Sequence, residues 1–351
     1  MTGPFAPRVL APAGLFVCLV LAAGCGTSNP QTAFNPRSEY ANAGLDLFNA
    51  VIIAGVVVAI LVEAILIWAA IWYRRRLGDR LPPQIHGNTF VEVFWTSVPA
   101  IVLAFILVPT IKTIFETQAP APANAMPVEV IGHQFWWEFR YPDANVVTAN
   151  ELHLPVNRTA SLSLHSDDVI HSFWIPALGG KRDAFPGHTD PCPRDTAAAR
   201  EPGCNYLWMT PNSTGTFPGQ CYQLCGYSHA NMRERAVIQT QADFDAWLNA
   251  QQQPAVTPSG GPEAEGLQTF QQKGCAGCHT IQGVSDGNVG PNLTHLASRG
   301  TIAGSVLENN ASDLRTWLRD PPGVKPGSIM PNLGLNDHEL DVLVAYLQLL
   351  R

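Results

Sequence analysis

Two apolar runs decide most of what this chain can be. Residues 47–73, "LFNAVIIAGVVVAILVEAILIWAAIWY", and residues 90–115, "FVEVFWTSVPAIVLAFILVPTIKTIF", each exceed the roughly 20 residues a helix needs to cross a bilayer. The connection "RRRLGDRLPPQIHGN" carries Arg74, Arg75, Arg76 and Arg80, which by the positive-inside rule marks a cytoplasmic loop. Both outer ends of a transmembrane hairpin spanning 40–118 therefore face the opposite side. Glu63 and Glu92 fall within the runs, where a carboxylate is costly unless paired or hydrated. Glu63 reads as an inward-facing polar contact with a partner helix.

Residues 1–25 have a basic start, a short apolar run and small residues before Cys25, the pattern of a secretory leader of lipoprotein type. Cys25 is either the lipid acceptor or lies beside an ordinary cleavage point, or the run is an uncleaved apolar tail. Export places the soluble remainder in an oxidising compartment, which sorts the eight cysteines. Cys192 and Cys204, in the polar loop "DPCPRDTAAAREPGCN" with no histidine between them, are expected to form a disulfide. The net charge of −7, with no basic stripe, argues against a nucleic-acid partner.

Beyond the hairpin, "ETQAPAPANAMP" is a linker, and strand-like runs follow: "VEVIGHQFWWEFRY", "TASLSLHS", "HSFWIP" and "RAVIQT". They predict a β-sandwich or barrel over 125–250. Residues 251–262 are rich in Gln, Pro and Gly and read as a flexible, solvated linker. Such a tether makes a tight interface between the parts it joins unnecessary. Residues 263–351 show helical spacing, as in a small all-α domain.

Four cysteines remain, in two motifs. In "CAGCH", the thiols of Cys275 and Cys278 suit two thioether links to a haem, with His279 as proximal iron ligand. A thioredoxin-like pair or half a zinc site leaves the adjacent His279 unexplained. Met330, the one methionine after Cys278, is the candidate sixth ligand, and a thioether there raises the iron's potential. His295 and His338 are its rivals, and both read as surface histidines.

The second motif, "GQCYQLCGYSHANM", gathers Cys221, Cys225, His229 and Met232, soft sulfurs beside imidazole that favour copper. Zinc would leave Met232 unused. A mononuclear blue-copper site would leave one thiolate unused, so two metals sharing both sulfurs fit the donor count best. His171, in "SDDVIHSFWIP", is an available distant ligand.

The C-terminal part, with "GPNL" at 290–293, resembles a class I cytochrome c, which implies that the Pro291 carbonyl accepts a hydrogen bond from His279. From about residue 40 to 250 the hairpin with "EVFWTSVPA", "GHQFWWEFRYPD", "DVIHS" and the copper motif resemble subunit II of cytochrome c oxidase. The fused haem domain is similar to the caa3 type. The resemblance implies a multidomain membrane protein: a transmembrane helical hairpin, a cupredoxin-like β-sandwich and an all-α cytochrome c domain. It also implies a dinuclear copper centre, CuA, bridged by Cys221 and Cys225, with His171 and Met232 completing one set and His229 with the Gln223 carbonyl completing the other.

Family members usually carry glutamate where Gln223 stands, which puts an interface magnesium or manganese in doubt. Where many relatives place a tryptophan for electron entry, this chain has Phe135 followed by Trp136. Trp137 reads as core packing. The position of Glu92 is similar to a proton-channel entrance. The implied function is electron transfer from a c-type haem through CuA to the oxygen-reducing subunit I, in a bacterial plasma membrane. The implied partners are subunit I, other membrane subunits and a donor such as a bc-type complex or cytochrome c. A CuA-type nitric oxide reductase subunit and a membrane-tethered copper carrier or redox sensor are the alternatives.

Overall fold

The computed structural model describes residues 29–74, 78, 83–84, 86–187, 192–196 and 203–351. The expected leader with Cys25, and Arg75, Arg76 and Arg80 of the cytoplasmic connection, lie outside the described residues. Helices α1 (Glu39–Trp72) and α2 (Thr89–Gln118) are long and apolar enough to span a membrane, and their outer faces are exposed. Each starts on a side-chain cap, Ser38 for α1 and Asn88 for α2. Glu92 sits in the first turn of α2, where its carboxylate accepts from the Asn88 backbone N–H at 3.3 Å.

The free ends of both helices are tied to the domain that follows. At the start of α1, the Ser38 hydroxyl donates to the Leu178 carbonyl at 2.7 Å, and the Glu39 carboxylate accepts from the Thr210 N–H at 3.0 Å. Just past α2, the Ala119 carbonyl accepts from the Trp208 indole at 3.1 Å. The soluble domain is thus seated on the hairpin.

That domain is a β-sandwich. One sheet runs β3 (Val146–Ala149), β2 (Trp136–Tyr141), β1 (Met126–His133), β5 (Ala160–Ser166) and β8 (Asn205–Met209), with β1 and β5 parallel. The other runs β4 (Glu151–Pro155), β10 (Arg233–Gln239) and β9 (Gly215–Gln220), with β4 and β10 parallel. A ribbon of β6 (His171–Phe173) and β7 (Arg182–Ala184) closes one end. Parallel neighbours within a sandwich, with a loop between the last two strands, make this a cupredoxin-like arrangement. Trp137, Phe139, Phe173, Leu152 and Leu162 are fully buried between the layers, so Trp137 is core.

Helix α3 (Gln241–Gln251) leads out of the sandwich, and α4 (Gly261–Gln272), α5 (Ala311–Arg319), the single turn α6 (Pro321–Val324) and α7 (Asp337–Leu349) build the C-terminal domain. The first and last helices cross closely there, because Gly266 leaves room for the Val342 carbonyl that any Cβ would strike. Asn336 and Glu339 form a capping box that starts α7.

The segment between α3 and α4 is mostly exposed, as expected of a solvated linker, but its first residues are tied to both domains. Gln252 donates its amide to the Ala144 carbonyl at 2.9 Å, and the Gln253 carbonyl lies 3.0 Å from Nε2 of His295. Both glutamines stay exposed while these bonds hold the start of the segment against Ala144 and His295. His295 is accordingly buried, in contrast to its reading as a surface histidine, whereas His338 is exposed and meets Glu265 at 2.7 Å.

Cys192 and Cys204 are joined, with Cα atoms 5.8 Å apart and a sequence separation of 12. Mass spectrometry of the unreduced chain should recover the two peptides linked. Replacing both by serine should lower the stability of the sandwich by about 3 kcal/mol through loop entropy. Two free thiols, or a wild-type unfolding midpoint in the double variant, would contradict this.

Candidate metal centres

The loop between β9 and β10 carries the first donor set. It is pinched shut at its base, where the Cys221 N–H donates to the Met232 carbonyl at 2.8 Å, and it is anchored to β6 by the Tyr222 N–H bonded to the Ser172 carbonyl at 2.9 Å. That second bond brings His171 against the loop. The Cys221 and Cys225 sulfurs are then 3.9 Å apart. Nδ1 of His171 and the Gln223 carbonyl lie 3.7 and 3.2 Å from the Cys221 sulfur, and Nδ1 of His229 and the Met232 sulfur lie 3.7 and 3.9 Å from the Cys225 sulfur. His171, Cys221 and Cys225 alone form a metal-sized cluster among the described residues.

The charges in this set suit a cation. Hydrogen bonding from Cys225, with help from His171, pulls the Cys221 thiol well down, while the thiolate beside it pushes the Cys225 thiol up. Without metal the buried pair accommodates one negative charge and resists a second. A metal that both sulfurs touch removes that resistance, because ligation requires both thiols deprotonated.

Sequence reasoning missed what orients His171. Its Nε2 is 2.8 Å from the Asp168 carboxylate, which leaves Nδ1 toward the sulfurs, the arrangement by which a carboxylate fixes a metal-binding imidazole. Burial opposes charge on this ring, but Asp168 and Cys221 outweigh it and raise its pKa. Asp168 also accepts from the Gln134 N–H at 2.6 Å. The signal was present in "DDVIH", three residues ahead of the ligand.

The second donor set lies in the C-terminal domain. Cys275, Cys278, His279, Pro291 and Met330 line one pocket. Nδ1 of His279 is 2.8 Å from the Pro291 carbonyl, which leaves Nε2 free for a metal. Burial lowers the pKa of His279, so the ring is held neutral, the form that ligates iron. A haem therefore fits: two thiols for attachment, an oriented imidazole and a thioether share an apolar cavity. His295 and His338 are not among its lining residues.

The same pocket is walled on one side by Gln134, Phe135 and Trp136 of the sandwich. Phe135 and Trp136 are each only 7% exposed, covered by the second domain instead of facing solvent. Trp136 stacks on His133 with ring centroids 4.2 Å apart.

Comparison with known proteins decides the family. Residues 29–113 match the model of the cytochrome c oxidase subunit II transmembrane domain, 146–240 that of its periplasmic domain, and 263–351 that of cytochrome c. Cytochrome c oxidase subunit 2 of Alkalihalophilus pseudofirmus is 35% identical, covering 96% of this chain and 95% of that one. The chain belongs to the cytochrome c oxidase subunit 2 family. The same subunit of Bacillus sp. strain PS3 is 35% identical over 80% of each chain, and that of Bacillus subtilis is 30% identical over 94% of each. As a family member with a fused cytochrome c domain, the chain is an electron-transfer subunit of a haem-copper oxidase in a bacterial membrane. Its cofactors are dinuclear copper and one c-type haem, and it associates with the oxidase's subunit I.

Each of the two most firmly oriented histidines lies against a glycine. A Cβ on Gly132 would come within 2.6 Å of the His171 ring, and one on Gly290 within 2.5 Å of the His279 ring. Gly290→Ala should therefore displace His279 and change the haem spectrum while the copper spectrum stays as in the parent. An unchanged haem spectrum would show that the ring is not held against Gly290.

Proposed function

We propose that electrons enter this chain at its C-terminal domain, where Cys275 and Cys278 would attach a c-type haem and His279 and Met330 would hold its iron. They leave through the sandwich, where Cys221, Cys225, His171, His229, Met232 and the Gln223 carbonyl would hold a copper pair. When bound, the two groups supply reversible one-electron chemistry. The protein's part is to hold the donors still and keep water away, since a site that need not rearrange exchanges an electron with little cost. The convergence of three further side-chain donors and one carbonyl around two facing sulfurs is the observation that carries the reading.

Several residues have supporting roles. Asp168 orients His171, and Pro291 orients His279. Phe135 and Gln134 fill the space between the two sites, and Gln134 donates its amide to the carbonyl of Cys225. This makes Phe135, with Trp136 beside it, the inner relay of the chain, so the surface that meets an external donor belongs to the haem domain. A bc-type complex or a soluble cytochrome c is the donor class this reading expects. Glu92, capping the cytoplasmic start of α2, is positioned to admit protons toward subunit I. Gln223 offers its carbonyl to copper but has no carboxylate for a further divalent metal.

Cys225→Ser should abolish the mixed-valence copper signal and leave the haem absorption intact, because the donor sets sit in different domains. A full copper complement in that variant would refute the ligand assignment. Deleting 263–351 should remove most turnover driven by a small-molecule reductant, yet leave copper reducible by a strong chemical reductant. Full-rate turnover after the deletion would move the entry point to the copper domain.

A further inference from the structure

The two cofactor domains meet through charged side chains hidden from water. Lys325, 4% exposed, extends from the loop that leads to Met330. Its amine donates to the Phe135 carbonyl at 2.6 Å and to the Ala303 carbonyl at 3.0 Å, so one side chain joins the sandwich to two separate loops of the haem domain. Glu151, 2% exposed at the start of β4, accepts from the Gly300 N–H at 2.9 Å, the Thr301 N–H at 3.0 Å and the Thr301 hydroxyl at 3.1 Å.

The strip 300–304 lies between these contacts. The Gly304 carbonyl accepts from the N–H of Arg233, the residue after Met232, at 3.2 Å. Gly304 has φ +72°, and a Cβ there would run into the Lys325 amine and come within 3.1 Å of the Asn231 and Phe135 carbonyls. No bulkier residue fits so close to the copper loop. On the far side, the Ser228 hydroxyl donates to the Pro326 carbonyl.

Burying a charge is costly unless it is bonded. Loss of hydration pulls the Lys325 ammonium down to about 7, and a neutral amine still has two N–H groups for the two carbonyls. Glu151 keeps His153 and Arg235 near it within its own domain, but its closest donors belong to the haem domain. Each side chain makes a hydrogen bond across the junction, Lys325 to the Phe135 carbonyl and Glu151 to the strip at 300–301.

We propose that Lys325 and Glu151 are positioning residues that seat the haem domain on the copper domain and hold the Met330 loop against Phe135 for electron transfer. The proposal rests on the reading of Phe135 as the relay between the two sites. Domain seating of this kind makes transfer independent of domain diffusion, whereas a loose tether makes it wait for encounter.

The test is rapid reduction of the haem in the intact oxidase, followed by the rate of copper reduction at rising viscosity. In the parent the rate should not depend on viscosity. In Glu151→Gln, haem and copper spectra should be unchanged, and in both Glu151→Gln and Lys325→Met the rate should fall about tenfold and become viscosity-dependent, as loss of buried hydrogen bonds weakens docking. Parental, viscosity-independent rates in either variant would overturn the proposal. Should Lys325→Met fail to retain haem, Glu151→Gln, at a residue that does not itself line the haem pocket, decides the matter by the same two outcomes. A parent that is itself viscosity-dependent would also overturn it. Copper that stays unreduced after haem reduction in the parent would instead overturn the underlying reading of the route.

Discussion

The ring of Phe135 sits between the copper loop and the loop that leads to Met330, beside the point where Ser228 and Pro326 join the two directly. A Cβ on Gly226, next to Cys225, would lie 3.0 Å from its tip, and one on Gly327, in the loop leading to Met330, would lie 3.5 Å from its edge. Electron transfer falls steeply with separation, so a bare glycine on each side of one flat side chain keeps the two donor sets as near as packing allows. The depth of that packing also explains why Phe135 is buried. The contact is internal to the chain, and a surface tryptophan for a diffusing donor has no place there.

The copper side of this contact is fixed in turn from the membrane upward. Both apolar helices are bonded to the sandwich at their outer ends, through Ser38 and Glu39 on α1 and through Ala119 beyond α2. The sandwich therefore cannot swing away from the hairpin, which itself packs within the oxidase. Exposed Leu224 and Tyr227 on the copper loop remain as apolar surface beside the metal donors. Rigidity at one end and a seated haem domain at the other give a single path with fixed dimensions.

Local patterns made much of this legible in sequence. The apolar runs, "CAGCH" and the cysteines of "GQCYQLCGYSHANM" announce helices and donors because their chemistry depends on spacing along the chain. His171 could be named only as a candidate, and Asp168 behind it was overlooked, since a carboxylate beside a ligand is ordinary loop composition until the fold aims it. The seating of the haem domain was not legible. Lys325 and Glu151 are single charges in unremarkable stretches, 174 positions apart in the chain, and only tertiary structure brings each to its partners. The Gln- and Pro-rich connection is as exposed as its composition suggests, but composition does not show the hydrogen bonds that tie its first residues to each domain.

The central claim is that one chain carries an electron from a c-type haem to a copper pair across its own domain junction. The most direct measurement is the rate of copper reduction after a flash-reduced haem, recorded over a wide range of protein concentration with no soluble cytochrome present. One haem should be oxidised per copper pair reduced, at a rate independent of concentration. A rate that rises in proportion to concentration would place the transfer between molecules and contradict it.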